Sequence, residues 1–383
     1  MNLQKDNLVQ TQTKIWLSSP HMGGNEQVYV EEAFKTNWIA PLGPNVSQFE
    51  DAIENYLYND VHVAALSSGT AAIHLGLKLL GVGPGDEVLC QSFTFSASAN
   101  PISYLGAQPI FIDSENETWN LCPELLEEAI NHSLKKGKKP KAIVAVHLYG
   151  MPYKVKEIQE LGMKYEIPII EDSAEALGST WEGRKCGTFG DIAVLSFNGN
   201  KIITTSGGGA LISKNRALKE KAIFLATQAR DKAPHYQHSE IGHNYRMSNV
   251  LAGIGRGQME VIDQRVKARR DNYAFYLQNL KDMNAISFLP EAKGMFSNRW
   301  LSCVLFSNRD IREKVRLVLE KENIESRPLW KPMHLQPVFQ SCPVFENGTS
   351  KDLFDKGLCL PSGSNLSLSD LERVVQNIKK AML

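Results

Sequence analysis

The chain has 383 residues, of which 43% are hydrophobic and 22% are charged. These values are typical of a globular protein, and the length allows one large domain and a smaller one. Lys plus Arg and Asp plus Glu number 42 each, so the formal net charge is zero. A nucleic-acid-binding protein usually carries a basic excess, so this balance argues against that class of function.

The sequence carries no recognisable targeting segment and no membrane span. Residues 1–17 lack the basic-then-apolar pattern of a signal peptide, and no apolar run approaches about 18 residues. The cysteines are too widely spaced for a zinc cage or a disulfide framework. We therefore expect free thiols, no metal and a cytoplasmic location. The six cysteines are Cys90, Cys122, Cys186, Cys303, Cys342 and Cys359.

Short apolar segments alternate with helical patterns between residues 61 and 213. This alternation predicts an α/β fold with a mostly parallel, seven-stranded sheet covered by helices on both faces. In such sheets, ligands bind at the carboxyl ends of the strands. The predicted strands are Val61–Leu66, Glu87–Cys90, Pro109–Ile112, Ala142–His147, Pro168–Glu171, Ile192–Phe197 and Gly209–Ile212, and the helical patterns include Ala71–Leu80, Pro123–His132 and Lys154–Tyr165.

The pattern changes after residue 250. Val250–Leu280 predicts one long helix, and a short α+β pattern follows it. We therefore predict a large α/β domain over residues 1–250, with a connecting helix and a smaller C-terminal α+β domain over residues 251–383. The later predicted elements are the strands Ile286–Leu289 and Trp300–Phe306 and the helices Arg309–Glu322 and Leu368–Met382.

Small residues follow the first predicted strand. Ser67-Ser68-Gly69-Thr70 leads into the helical pattern that begins at Ala71. A helix N-terminus has free N–H groups, and its dipole favours an anion such as a phosphate. Ser and Thr are also good helix caps. Taken alone, the segment is consistent with either a phosphate site or a capped helix.

Polar residues also follow two later strands. Glu171 and Asp172 end an apolar strand, and only one of them can point inward because side chains alternate. An Asp at such a position can bind a metal, pair with a base or cap a turn. Lys201 lies 29 residues after Asp172 in a Gly/Asn turn, where a lysine is usually a solvated surface charge.

The combination of these three features is more informative than any one of them. A phosphate loop, a strand-end Asp and a loop Lys are the parts that a pyridoxal phosphate enzyme requires. The loop anchors the phosphate, and the carboxylate keeps the pyridine nitrogen protonated. The lysine captures the aldehyde after losing its proton.

Several segments of this chain resemble motifs of the DegT/DnrJ/EryC1/StrS family of sugar aminotransferases. They are SSGTAAIHLGL, QSFTFSASANP, EDSAEALG, SFNGNK followed by TTSGGG, and NYRMSN, in the family's order over residues 67–249. The resemblance implies the aspartate-aminotransferase fold (type I) and pyridoxal phosphate as cofactor. It also implies amino transfer from glutamate to a nucleotide-linked keto-sugar, in a homodimer whose active site is shared between subunits.

The resemblance also implies roles for individual residues. Lys201 would bind the cofactor covalently and move a proton between cofactor and substrate. Asp172 would pair with the pyridine nitrogen, and Phe95 would stack on the ring. Asn244 would reach the phosphate of the neighbouring subunit's cofactor. The full set expected around the cofactor is Ser68, Gly69, Thr70, Phe95, Asp172, Glu175, Ser196, Lys201 and Asn244.

Two departures from the common family pattern bear on the substrate. Glu175 stands where many relatives carry His or Gln, and Asn198-Gly199 stands where many carry His-Pro. With Gly207–Gly209, they resemble the subset that makes the 4-amino sugar on the route to N-acetylbacillosamine. That likeness implies a UDP-linked 4-keto-6-deoxy-N-acetylhexosamine as amino acceptor, with a dTDP-linked 3- or 4-keto-sugar as the alternative.

Residues 327–334, RPLWKPMH, offer a cation, an aromatic face and an imidazole, which suit a nucleotide diphosphate. The alternative is an ordinary loop that links domains. The residues expected to bind the substrate are Glu175, Arg246, Arg327, Trp330 and His334.

Other classes of function fit less well. A pyridoxal-phosphate-binding regulator without catalysis would carry a DNA-binding helix-turn-helix or a basic arm, and neither is evident. A nicotinamide oxidoreductase needs a glycine loop between a strand and the helix that it opens. Gly81–Asp86 instead follows a helix and precedes a strand. Gly253–Gly257 lies in a helical pattern and predicts close helix packing, and His147 is expected to be a hydrogen-bonded core residue.

Overall fold

The structure is a computed structural model that describes residues 13–58 and 60–383. Residues 1–12 of the segment examined for a signal peptide lie outside this range. The helices in the described part are α1 (Glu26–Lys35), α2 (Pro44–Tyr56), α3 (Gly69–Leu79), α4 (Asn100–Tyr104), α5 (Pro123–Lys135), α6 (Val155–Tyr165), α7 (Arg216–Ala226), α8 (Asn249–Met259), α9 (Ile262–Leu280), α10 (Arg309–Lys321), α11 (Thr349–Lys356) and α12 (Leu368–Met382).

The strands belong to three sheets, of eight, four and three strands among the described residues. They are β1 (His62–Leu66), β2 (Glu87–Gln91), β3 (Gln108–Ile112), β4 (Ala142–Val146), β5 (Ile169–Asp172), β6 (Thr180–Trp181), β7 (Arg184–Lys185), β8 (Ile192–Ser196), β9 (Gly209–Ser213), β10 (Ile286–Phe288), β11 (Met295–Phe296), β12 (Ser302–Phe306), β13 (Arg327–Pro328), β14 (Val344–Phe345) and β15 (Gly357–Leu360).

The large sheet has the order β1-β9-β8-β5-β4-β2-β3-β14. All seven predicted strands are present in it, and only β9 runs antiparallel to its neighbours. The prediction of seven strands was one short. Val344–Phe345 adds an eighth strand at the edge, parallel to β3. A strand of two residues is too short to give a recognisable pattern in the sequence.

Both faces of the large sheet are buried, because its strand residues point alternately into apolar clusters on its two sides. In β1, Ala64 and Leu66 belong to the cluster that α3 covers, whereas Val63 and Ala65 face α2 on the other side. Burying an aliphatic side chain stabilises the fold by about 1.5–3 kcal/mol. The sheet is therefore a rigid base from which the strand-end residues project.

The second sheet is antiparallel, with the order β10-β12-β15-β13. Its apolar residues pack with α9, α10 and α12 in a separate core cluster that includes Tyr276, Val304, Val315 and Ile378. This part of the chain has the α+β character that the sequence predicts after residue 250. The exact boundary near residue 250 stays a prediction.

The single long helix predicted over Val250–Leu280 is two helices. The chain breaks at Glu260 and Val261, so that α8 packs on α1 and α2 while α9 continues to the second sheet. The glycines of α8 permit this packing. A Cβ at Gly255 would lie 2.6 Å from the Phe49 ring, and one at Gly257 would lie 2.6 Å from the Glu26 backbone. Within the described residues, no helix is both long enough and apolar enough to span a bilayer.

Candidate active site

A cavity of about 290 Å³ lies at the carboxyl ends of β1, β5 and β8, beside the N-terminus of α3. This is the edge of the sheet at which a ligand site is expected. Most of the residues predicted for the cofactor line it, and so do two of those predicted for the substrate, Glu175 and Trp330. They are Ser68, Gly69, Thr70, Phe95, Asp172, Glu175, Ser196, Lys201 and Trp330.

The turn before α3 forms one wall of the cavity. The Ser68 side chain caps the helix by accepting a hydrogen bond of 3.0 Å from the backbone N–H of Ala71. The first N–H groups of a helix have no acceptor within it, so those of Gly69 and Thr70 are suited to an anion. Ser68 is therefore a helix cap, and its position leaves a site for an anion at the same helix N-terminus.

Glycine at position 209 allows the sheet to approach this turn closely. A Cβ on Gly209 would lie 2.3 Å from the carbonyl carbon of Ser68 and 2.4 Å from the backbone nitrogen of Gly69. Gly209 also pairs with both Leu66 and Ser196, the last residues of the neighbouring strands. Gly209 therefore allows the N-terminus of α3 to lie close to the ends of β1 and β8.

Asp172 ends β5, is almost fully buried and faces the cavity. One carboxylate oxygen accepts a hydrogen bond of 2.7 Å from the Ser98 hydroxyl, which in turn lies 2.8 Å from the Thr94 hydroxyl. The other oxygen accepts a bond of 3.2 Å from the Ala174 backbone. These contacts fix the carboxylate in one orientation. Ser98 and Thr94 were not singled out in the sequence, although both lie in the segment that contains Phe95.

Glu171 points to the opposite side of the strand, as the alternation of side chains requires. It is fully buried and accepts hydrogen bonds from His147, Ser173 and the backbone of residues 187–190. Burial alone would raise the pKa of Glu171, but the hydrogen bond from His147 and the backbone donors around it hold that pKa below its usual value. Glu171 is thus a structural carboxylate.

His147 also lies near a cysteine, an arrangement that the sequence did not predict. One of its ring nitrogens, a Glu171 oxygen and the Cys186 sulfur lie within 4.8 Å of one another, as metal ligands can. However, His147 Nε2 bonds Glu171 at 2.8 Å, and Nδ1 accepts a bond of 3.1 Å from the Tyr153 backbone. Hydrogen bonds thus engage both ring nitrogens, which agrees with the expected role as a core residue.

Lys201 extends into the cavity and contacts Glu175. Its Nζ donates a hydrogen bond of 3.2 Å to one Glu175 oxygen, while the Tyr149 backbone donates one of 2.7 Å to the other. Burial raises the pKa of Glu175 despite the opposing effect of Lys201. The sequence prediction that Glu175 lies close to the reacting groups is therefore consistent with its position. The Lys201 side chain is only 11% exposed, unlike a solvated surface lysine.

Aromatic residues form the outer wall of the cavity. The Phe95 ring is half exposed and lies 5.2 Å from the Trp330 ring. Trp300 contacts Lys201, whose Nζ lies 4.2 Å from the centre of the indole ring. In the sequence, Trp300 begins a predicted strand and has no predicted role in the site. In the structure it precedes β12 and lines the cavity.

Four of the predicted site residues lie outside the cavity walls. Asn244 is exposed, in a loop bridged to Thr227. Arg246 pairs with the buried Glu50 and donates a hydrogen bond of 2.9 Å to the carbonyl of Ala65. These contacts hold Arg246 against α2 and β1, and its side chain does not line the cavity.

The other two belong to the segment 327–334. Arg327 pairs with Glu325 at 2.8 Å on the wall of a different, arginine-rich pocket. His334 Nδ1 lies 2.7 Å from the Ser92 hydroxyl, and its Nε2 lies 3.3 Å from Glu346. Within this segment only Trp330 reaches the cavity wall.

The fold and the cavity are those of a fold type I enzyme dependent on pyridoxal phosphate, and comparison with known proteins gives the family. The structure superposes on that of the aminotransferase TlmJ from Streptoalloteichus hindustanus with a TM-score of 0.90 and 29% identity, over 97% of this chain and 99% of the other. Residues 20–379 match the model of the DegT/DnrJ/EryC1/StrS aminotransferase family. The chain belongs to this family, and its cofactor is pyridoxal phosphate.

Two curated relatives are similar over nearly their whole length. EpsN of Bacillus subtilis (strain 168), named as a candidate pyridoxal phosphate-dependent aminotransferase, is 51% identical over 367 residues, which is 95% of this chain and 94% of the relative. GDP-perosamine synthase of Escherichia coli O157:H7 is 36% identical, over 94% of this chain and 96% of the relative.

Proposed function

We propose that this protein transfers an amino group from glutamate to a UDP-linked 2-acetamido-4-keto-2,6-dideoxyhexose. The product would be a 4-amino sugar for glycan biosynthesis. The observation that carries the proposal is the meeting of three groups in one cavity. The Lys201 amine, the Asp172 carboxylate and the N-terminus of α3 all line it. They match the aldehyde, the pyridine nitrogen and the phosphate of the cofactor.

The cofactor supplies an electron sink at the carbon that exchanges its proton, and the residues of this chain supply the rest. Gly69, Thr70 and Ser196 would hold the phosphate at the helix N-terminus, where the dipole favours its charge. Asp172 would keep the ring nitrogen protonated, and the hydrogen bond from Ser98 fixes the orientation of that carboxylate. Phe95 would cover one face of the ring.

Lys201 is the covalent lysine and the group that moves the proton. With the cofactor bound, this amine would be placed to take a proton from one carbon and return it to another without leaving the cavity. Glu175 lies 3.2 Å from the amine, so in this proposal it would also contact the substrate. Since Glu175 stands where many relatives have His or Gln, we assign part of the choice of sugar to it.

The active form is a homodimer in this proposal. Asn244 is exposed and lies outside the cavity of its own chain, so it is free to reach the phosphate site of a second copy. Arg246, two residues on, anchors this loop to Glu50. All six cysteines are unpaired, which supports a reducing cytoplasm as the location.

In this proposal Trp330 contacts the sugar, and Arg327 and His334 bind the nucleotide part of the substrate. Trp330 is favoured by its place on the cavity wall beside Phe95. The name of the Escherichia coli relative supports a nucleotide-linked amino sugar as product, and it adds GDP to the nucleotides worth testing.

The test is a panel of UDP-, dTDP- and GDP-linked 4-keto-6-deoxy sugars, each incubated with glutamate and analysed by mass spectrometry and NMR. We expect a 4-amino product from the UDP-linked 2-acetamido sugar. Lys201→Ala should abolish it, whereas Lys185→Ala, which removes a half-buried lysine outside the cavity, should not. Reaction of only the dTDP or GDP sugars would refute the acceptor, and absence of any product would refute amino transfer to sugars.

A further inference from the structure

The amine of Lys201 is held on two sides. Glu175 accepts its hydrogen bond at 3.2 Å, and the ring of Trp300 lies 4.2 Å away. An ammonium group over an indole face is attracted by the ring, and more strongly when water is excluded. Trp300 is 1% exposed, so this contact is buried. An amine with these two neighbours has one preferred position.

Trp300 is itself fixed to the loop that carries the lysine. Its indole N–H donates a hydrogen bond of 2.8 Å to the carbonyl of Asn200, the residue before Lys201. Its backbone N–H donates one of 2.8 Å to the Asn298 side chain. The ring therefore cannot turn away from Lys201 without breaking the bond to Asn200.

A buried arginine completes this arrangement. Arg269 of α9 donates a hydrogen bond of 2.6 Å to the carbonyl of Trp300 and one of 3.3 Å to the carbonyl of Lys201. Its third bond, of 2.9 Å, goes to the Ser18 hydroxyl, which donates one of 2.7 Å to the Asn200 carbonyl. Trp300, the lysine loop and α9 are thus one hydrogen-bonded unit.

The bonds of Arg269 are unusual for a guanidinium in the protein interior. Among the described residues, its hydrogen-bond partners are two carbonyls and a hydroxyl, with no carboxylate among them. Burial and the nearby Arg265 lower its pKa to about 9. A buried cation without a carboxylate is costly, and an apolar side chain would pack at lower cost. Its hydrogen bonds to the carbonyls of Trp300 and Lys201 fit a role in orienting the loop and Trp300.

We propose that Trp300 is a positioning residue that holds the released amine of Lys201 between its ring face and Glu175, and that Arg269 locks Trp300 in place. The amine must leave the cofactor in each half-reaction and then move a proton, so its resting position decides how quickly it can act. A misplacement of about 1 Å can lower such a rate about a hundredfold. This inference rests on the proposed role of Lys201.

The first test follows the amine in the cofactor-free full-length protein. Pulse labelling with acetic anhydride and peptide mass spectrometry give the acetylation rate of Lys201. Trp300→Leu removes the ring that covers and attracts the amine, so the rate should rise about tenfold. Trp300→Phe keeps a ring face and loses only the indole bond, so its rate should stay within about threefold of the parent.

Trp16→Leu is the matched control. Lys14 lies over the Trp16 ring at 3.9 Å, but Trp16 is 52% exposed and does not line the cavity. Its loss should leave Lys201 labelling unchanged. Equal labelling of Lys201 in the parent and in Trp300→Leu would overturn the inference.

The second test measures the glutamate half-reaction of the loaded enzyme in single turnover. Trp300→Leu should slow it about tenfold, with KM for glutamate within about twofold, because the residue positions the amine and does not bind the donor. Arg269→Lys should show a smaller loss of the same kind, and it provides a second variant if Trp300→Leu fails to fold. A change in KM alone would overturn the positioning role.

The two proposals fail in different ways. Full amino-transfer activity in Lys201→Ala would refute the proposed function of that lysine. Normal labelling and a normal half-reaction in Trp300→Leu would refute only the role given to Trp300.

Discussion

The glycine at position 209 offers a sharp test of the phosphate site, because its side chain is excluded by backbone atoms. An alanine Cβ would lie 2.3 Å from the Ser68 carbonyl carbon, whereas ordinary contact begins at 3.4 Å. The turn and strand would have to separate by the difference, about 1 Å. A shift of this size at a preorganised site costs about a hundredfold. Gly209→Ala should therefore weaken pyridoxal phosphate binding about a hundredfold.

The assay is a titration of the cofactor-free protein with pyridoxal phosphate, followed by the visible absorbance of the bound cofactor. Gly83→Ala is the control, because a Cβ there meets no atom within 4 Å and Gly83 does not line the cavity. It should bind the cofactor like the parent. Circular dichroism shows whether each variant is folded. If folded Gly209→Ala binds the cofactor with unchanged affinity, the reasoning about the turn is wrong.

Three further predictions concern buried polar groups. Asp172→Asn should slow the glutamate half-reaction at least about a hundredfold in stopped-flow absorbance, because it removes the carboxylate that faces the ring nitrogen; a loss below tenfold would count against that role. Glu171→Gln should instead lower the free energy of unfolding by about 3 kcal/mol in urea titrations, since an amide cannot accept from every donor that surrounds Glu171; unchanged stability would contradict this. Burial, with smaller effects of His243 and Lys78, lowers the pKa of His74 to about 4. The folded state therefore binds fewer protons than the unfolded state, and stability should fall as pH drops from 6.5 to about 4. His74→Gln should show a smaller fall, and an identical pH profile would refute the assignment.

The sequence predicted the large sheet well because each of its central strands is a continuous apolar run between turn residues. The same property predicted Asp172 at the end of β5 and Lys201 in the turn that follows β8. Local pattern failed where the element was too short, as in β14, or where a helix breaks without glycine or proline at the break, as at Glu260 and Val261.

The sequence alone could not predict contacts between segments that lie far apart in the chain. Ser98 reaches Asp172 across 74 positions, and Trp300 reaches Asn200 across 100. Neither pair leaves a periodic signal, because tertiary packing alone brings them together. The side chains of Arg327 and His334 bond Glu325 and Ser92 outside the cavity walls. Their role in binding the nucleotide stays a prediction.

The identity of the lysine that binds the cofactor is central to the account. Borohydride reduction of the loaded enzyme, followed by digestion and mass spectrometry, fixes the cofactor to that lysine and locates it in the chain. We expect the label on Lys201, and none on Lys185. A label on another lysine, or no label in a protein that binds the cofactor, would contradict the assignment of Lys201 as the covalent lysine.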